Sequence, residues 1–120
     1  MQPIQVSVTG TAVSTSFLPD YMQNPFQVSI GVVVSGGTAG VQLSVQHCFD
    51  YRTAYLPTWD GSTNVTWFSN SGITNAATNA TTLGFSGNYA FPVAAIRLQV
   101  QSALATTITT MFITQASNAP

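Results

Sequence analysis

Val41-Gln42-Leu43-Ser44-Val45-Gln46-His47-Cys48-Phe49-Asp50-Tyr51-Arg52 alternates without a break. Val41, Leu43, Val45, His47, Phe49 and Tyr51 fall on one side. Gln42, Ser44, Gln46, Cys48, Asp50 and Arg52 fall on the other. A period of two is the signature of a strand with one buried and one solvated face. The same pattern spreads outward from this stretch. Ile4, Val6 and Val8 alternate with Gln5, Ser7 and Thr9; Phe26, Val28, Ile30 and Val32 alternate with Gln27, Ser29 and Gly31; Ile96, Leu98 and Val100 alternate with Arg97, Gln99 and Gln101. Residues 106–114 differ, because Ile108 and Phe112 occupy one face while Met111 and Ile113 occupy the other. A strand apolar on both faces is usually covered twice, by its own core and by a neighbour. No stretch carries a 3.6-residue period. Gly36-Gly37 with Gly40 separates two strands at a hairpin-like break, and Pro25, Pro57 and Pro92 sit where strands end or reach an edge. Residues 53–88 are the least regular, with expected long loops and one or two short strands. The 120 residues read as one all-β domain, an antiparallel β-sandwich, with a jelly roll first and an immunoglobulin-like Greek key second.

Charge is nearly absent. The chain holds two arginines, three aspartates, and no lysine or glutamate. The charged fraction of 4% compares with roughly 25% in ordinary soluble domains. Its surface is therefore built from Thr, Ser, Gln and Asn. Lysine commonly keeps strand edges and faces from adhering to other chains, so its complete absence predicts a working life against another protein surface. A net charge of −1 supplies no electrostatic footprint for nucleic acid or an anionic membrane. No apolar run approaches the roughly 20 residues of a membrane-spanning helix. The first residues have neither the basic start nor the apolar run of a secretory signal, which predicts a cytoplasmic origin. The single cysteine, Cys48, forms no disulfide within the chain.

Few residues carry chemistry. His47 is the only histidine and shares the apolar side of Val45 and Phe49, so it reads as a satisfied core histidine. Cys48 reads as a structural or interfacial thiol, because neighbouring strand residues diverge. Asp20, Asp50 and Asp60 have no spacing that makes an acid–base pair or a calcium loop. The expectation is a non-enzyme without metal or cofactor. Asp50 and Arg97 are expected as structural partners or neighbours at an interface. Aromatic residues of the middle region are better candidates for binding: Trp59, Trp67, Tyr55 and Phe68 as interface anchors, with Tyr51, Tyr89 and Phe91 in the wider set.

Three stretches taken together resemble a known group. They are Val45-Gln46-His47-Cys48-Phe49-Asp50-Tyr51, the triplet Thr66-Trp67-Phe68, and Tyr89-Ala90-Phe91-Pro92-Val93-Ala94-Ala95-Ile96-Arg97-Leu98-Gln99-Val100, followed by a Thr-rich strand. Over roughly residues 25–116 the chain resembles small virion proteins of tailed bacteriophages, some of them capsid decoration (cement) proteins of jelly-roll type. Such relatives often carry a second acid after the Phe-Asp pair, where this chain has Tyr51. The resemblance implies a protein made in the host cytoplasm that then docks on the outer surface of the capsid. There it would bridge major capsid protein subunits and stabilise the shell. Self-association is also expected, a two-fold dimer ahead of a trimer. Other expectations are a tail, neck or fibre component of the virion, or a carbohydrate-binding β-sandwich.

Overall fold

A computed structural model describes residues 4–19, 26–36, 41–50, 65–76 and 83–115. The described residues form eight strands: β1 (Ile4–Thr9), β2 (Ala12–Val13), β3 (Val28–Ser35), β4 (Gln42–Cys48), β5 (Phe68–Ala76), β6 (Leu83–Tyr89), β7 (Ala95–Ser102) and β8 (Ile108–Gln115). They form two four-stranded antiparallel sheets, ordered β1-β8-β3-β6 and β2-β7-β4-β5. Consecutive strands alternate between the sheets except for β4 and β5, which pair directly. This is the jelly-roll arrangement of a β-sandwich.

The alternation read from the sequence fixes which side of each strand turns inward. Val28, Ile30, Val32 and Val34 of β3 and Met111 and Ile113 of β8 form the inner face of the first sheet. Leu43 and Val45 of β4 and Ile96, Leu98 and Val100 of β7 form that of the second. Each of these fully buried side chains contributes about 1.5–3 kcal/mol by leaving water.

Three expectations change. The glycine-rich break after β3 closes no hairpin: β3 pairs with β8 and β6, whereas β4 pairs with β7 and β5. The chain crosses between sheets there. Gly36 takes the left-handed conformation at φ 76°, and a Cβ at this position would lie 2.5 Å from the Thr106 carbonyl oxygen. The least regular stretch of sequence contains two full strands, β5 and β6, which become the edges of the two sheets. Finally, the two faces of β4 are less distinct than its letters imply. Ser44 and Cys48 are buried on the polar side, and Phe49, just past the strand end, is 44% exposed. Register shifts between Ser44 and Gln46 against β5, and between Gln42 and Leu43 against β7, break the regular ladder there.

The two-sided β8 is covered on one side only. Met111 and Ile113 are buried, while Ile108 and Phe112 remain exposed on the outer face of the first sheet.

Candidate functional site

The last turn of alternation in β4 builds the site. His47 is the final inward residue of the strand and pairs with Phe68, the first residue of β5. Tyr89 ends β6, on the neighbouring edge of the other sheet, and Phe91 follows it two residues on. Four rings therefore converge on one imidazole. His47 lies 4.9 Å from Tyr89, 5.2 Å from Phe49 and 5.7 Å from Phe91, each edge to face, and 6.1 Å from Phe68 in a stacked pose. These separations are those of favourable aromatic pairs. His47 is only 6% exposed and Tyr89 1%, whereas Phe68 and Phe91 are each 48% exposed. The cluster thus has a buried floor and an open aromatic rim.

Hydrogen bonds tie the floor together. Burial lowers the His47 pKa, so the ring is held neutral. The Asn70 side chain donates to the Tyr89 hydroxyl and, at 3.4 Å, to the Asn88 carbonyl oxygen. The Tyr89 hydroxyl also shares a hydrogen bond of 2.8 Å with His47 Nδ1, whose donor is set by the His47 tautomer. Burial also raises the Tyr89 pKa well above its ordinary value, so the phenol stays protonated. Above this floor, between β5 and β6, opens a cavity of about 350 Å³ lined by His47, Ser69, Asn70, Gly87, Asn88, Tyr89 and Phe91.

The opposite face of the same strand end is closed. Cys48, Ala94 and Ala95 are fully buried there, with Val65 and Trp67 packed against them. The Arg97 guanidinium lies 4.2 Å from the centre of the Trp67 ring, and its Nε donates to Gln46 Oε1 at 2.8 Å. A cation over an indole face is attracted by the ring quadrupole, so Arg97 clamps Trp67 onto the small residues below. Burial pushes the Cys48 thiol up, opposed by backbone hydrogen bonds at Asp50 and Ala95 and by the Arg97 charge. Asp50 and Arg97 both neighbour Cys48, and Arg97 contacts Gln46 and Trp67.

Of the anchors expected from sequence, Tyr55 and Trp59 lie outside the described residues. Trp67 and Phe68 are described, and their adjacency sends them to opposite faces: Trp67 to the closed one, Phe68 to the open rim. Phe91, from the wider set, joins Phe68 there. Sequence reasoning missed Phe49, assigned to the core by its alternation, and the amides Asn70 and Asn88. The Thr66-Trp67-Phe68 triplet was the available signal, since aromatics facing both ways at a strand start mark two packed surfaces. Among the described residues no group of three or more potential metal ligands occurs.

No family model matches the chain, and no curated protein matches it in sequence. Among solved structures its fold is similar to that of the SPBc2 prophage-derived protein YomS, with a TM-score of 0.50 and 13% identity over 97% of this chain and 96% of that one. It is also similar to the CBM22-1 xylan-binding domain of Paenibacillus barcinonensis Xyn10C, with a TM-score of 0.47 and 15% identity over 91% and 74% of the two chains. A third similar structure holds the CBM22-1 and GH10 modules of Clostridium thermocellum Xyn10B, with a TM-score of 0.46, 13% identity, 98% of this chain and 25% of that one. At such identities the likeness is one of fold.

Proposed function

We propose that this chain is a structural protein of a tailed-bacteriophage particle, seated on the outer surface of the capsid and bridging major capsid protein subunits. The observation that carries this reading is the outer face of the sheet β1-β8-β3-β6. Its residues are Gln5, Ser7 and Thr9 of β1, Ile108, Thr110, Phe112 and Thr114 of β8, and Ser29, Gly31, Val33 and Ser35 of β3. None is charged. The two charged residues among those described, Asp50 and Arg97, belong to strands of the other sheet or their ends. Val33, Ile108 and Phe112 stand exposed in the middle of this neutral field.

A face of this kind suits permanent burial. Every unpaired charge taken out of water costs several kcal/mol, and here there is none to desolvate. Many neutral contacts repeated over a symmetric lattice supply avidity without any single strong site. The role is mechanical, with no catalysis and no cofactor. The likeness of fold to a prophage-derived protein supports the same direction. Self-association belongs to the reading too, as a two-fold dimer ahead of a trimer.

The test is cryo-EM and mass spectrometry of purified particles from a phage that encodes the chain. Many copies on the outer capsid lattice, first sheet inward, are expected. Stripped capsids should rebind the purified chain almost equally at low and high salt, because screening weakens only charge-held contacts. Copies confined to tail, neck or fibre, or absence from the particle, would overturn the assignment.

A further inference from the structure

We infer that the cavity between β5 and β6 is a binding site for a neutral sugar, held against Phe91 and hydrogen-bonded by Asn70, His47 and the strand backbone that borders it. The inference is independent of the capsid reading and concerns a different side of the molecule.

The cavity volume of about 350 Å³ lies at the small end of ligand sites, which span about 300–1,000 Å³. Its walls are unlike each other. One is the half-exposed Phe91 ring, continued at the rim by Phe68 at 6.1 Å from His47 and Phe49 at 5.6 Å from Phe68. The other is polar: the Asn70 side chain from β5 and the backbone of Ser69, Gly87 and Asn88, since Ser69 and Asn88 alternate with the inward-facing Phe68 and Gly87. The floor is the Tyr89–His47 pair. A ligand matched to this lining needs an apolar flank for the ring and several hydroxyls for the polar wall. A pyranose or furanose ring has both, with C–H bonds on one face and hydroxyls around its edge. None of the described lining residues is Asp, Glu, Lys or Arg, so among them a phosphate, carboxylate or ammonium ligand would be desolvated without a partner.

Gly87 explains why the space exists. It pairs with Ile30 on the inner side of β6, where any other residue would project a side chain toward the cavity. Glycine inside a strand is a common mark of a place where something else must approach the backbone. Meanwhile the sandwich is left open at this flank because β5 and β6, the edges of different sheets, do not pair with each other. Elsewhere along the sandwich the inward positions are filled by Val, Ile and Leu.

The experiment titrates the purified full chain with neutral oligosaccharides of glucose, xylose, galactose and N-acetylglucosamine, and with a sialylated oligosaccharide as charged control. His47 is the only histidine, so its imidazole NMR signals report the site without ambiguity. At least one neutral sugar is expected to bind with Kd below about 1 mM and to shift the His47 ring signals. Phe91→Ala removes the stacking wall and should weaken binding about tenfold or more. Gly87→Leu fills the cavity from the inner side of β6 and should abolish binding; amide spectra establish that each variant is folded, and either one alone suffices. The inference is overturned if no neutral sugar binds up to about 10 mM, or if the sialylated one binds more tightly than every neutral one. Binding that both folded variants retain would also overturn it.

Discussion

His47 and Cys48 are neighbours in sequence and opposites in circumstance. Below His47 the strand end supports an aromatic cluster whose rim stays in water. Below Cys48 it supports alanines, sealed by Trp67 and clamped by Arg97. The residue sizes account for the difference. Cys48, Ala94 and Ala95 are small enough for one indole to cover them completely. Phe49, Phe68 and Phe91 are too large to bury around one imidazole at the margin of two edge strands. A closed cluster of small residues stabilises, whereas an open cluster of large ones leaves area for something else to bury. Clustering of aromatics is therefore a poor guide to a site unless one asks whether anything lies on top.

The hardest way to break this contrast is to remove the floor of the open side. Tyr89→Ala deletes a fully buried ring and should cost about 3–5 kcal/mol, read as a large drop in Tm. An unchanged Tm would mean the rim is self-supporting. On the closed side, Ala95→Leu overfills a packed cluster and should cost about 1–3 kcal/mol. Were it tolerated without loss, the closed cluster would be looser than the contacts imply. Arg97→Ala removes the clamp and should cost about 0.5–2 kcal/mol. It should also make Cys48, protected by burial and an upward-shifted pKa in the native protein, react faster with a thiol reagent. Equal rates before and after would show that Trp67 closes the site unaided.

The fourth test separates the clusters by pH. The folded protein holds His47 below the ordinary value of 6.5, so the unfolded chain binds a proton first as the solution is acidified. Stability from this group is complete above about pH 6.5 and declines as pH falls below it. His47→Phe should flatten the Tm profile on the acid side of neutrality, and Cys48→Ala should leave its slope alone. The smallest effect is expected at the rim. Phe91→Ala should cost less than about 1 kcal/mol, at the low end of single substitutions. A much larger loss would place Phe91 in the framework instead of the site.

The framework was legible in particular letters. Val28, Ile30 and Val32, or Ile96, Leu98 and Val100, announce a buried face because strand geometry turns a period of two directly into a side. Phe49 did not obey, since alternation says which way a residue points but not where the opposite sheet stops. The cavity had no signal of this kind. It arises where β5 and β6 come alongside without pairing, and its central hydrogen bond joins residues 42 positions apart. The irregular composition of residues 53–88 predicts one or two short strands, whereas the two that border the cavity run to 9 and 7 residues. Polar and glycine-rich edges lack the β-branched runs that identify interior strands. Trp67 and Phe68 stand side by side in the sequence, yet only their opposite sides explain what each touches.

The jelly-roll order has a consequence for how the molecule is made. Strand β1 finds its neighbour in β8, with Ile4 opposite Ile113, and β3 also waits for β8 on one side. During synthesis both first-sheet strands emerge long before their partner does. Until the ribosome has released the strand Ile108–Gln115, their backbone edges are unpaired in a cell full of other chains. The first sheet can close only after residues 108–115 exist, and closure over such separations belongs to the slow end of small-domain folding, about milliseconds to seconds. A sequence without a single lysine to guard those edges depends on reaching that moment quickly, or on a chaperone holding it until then.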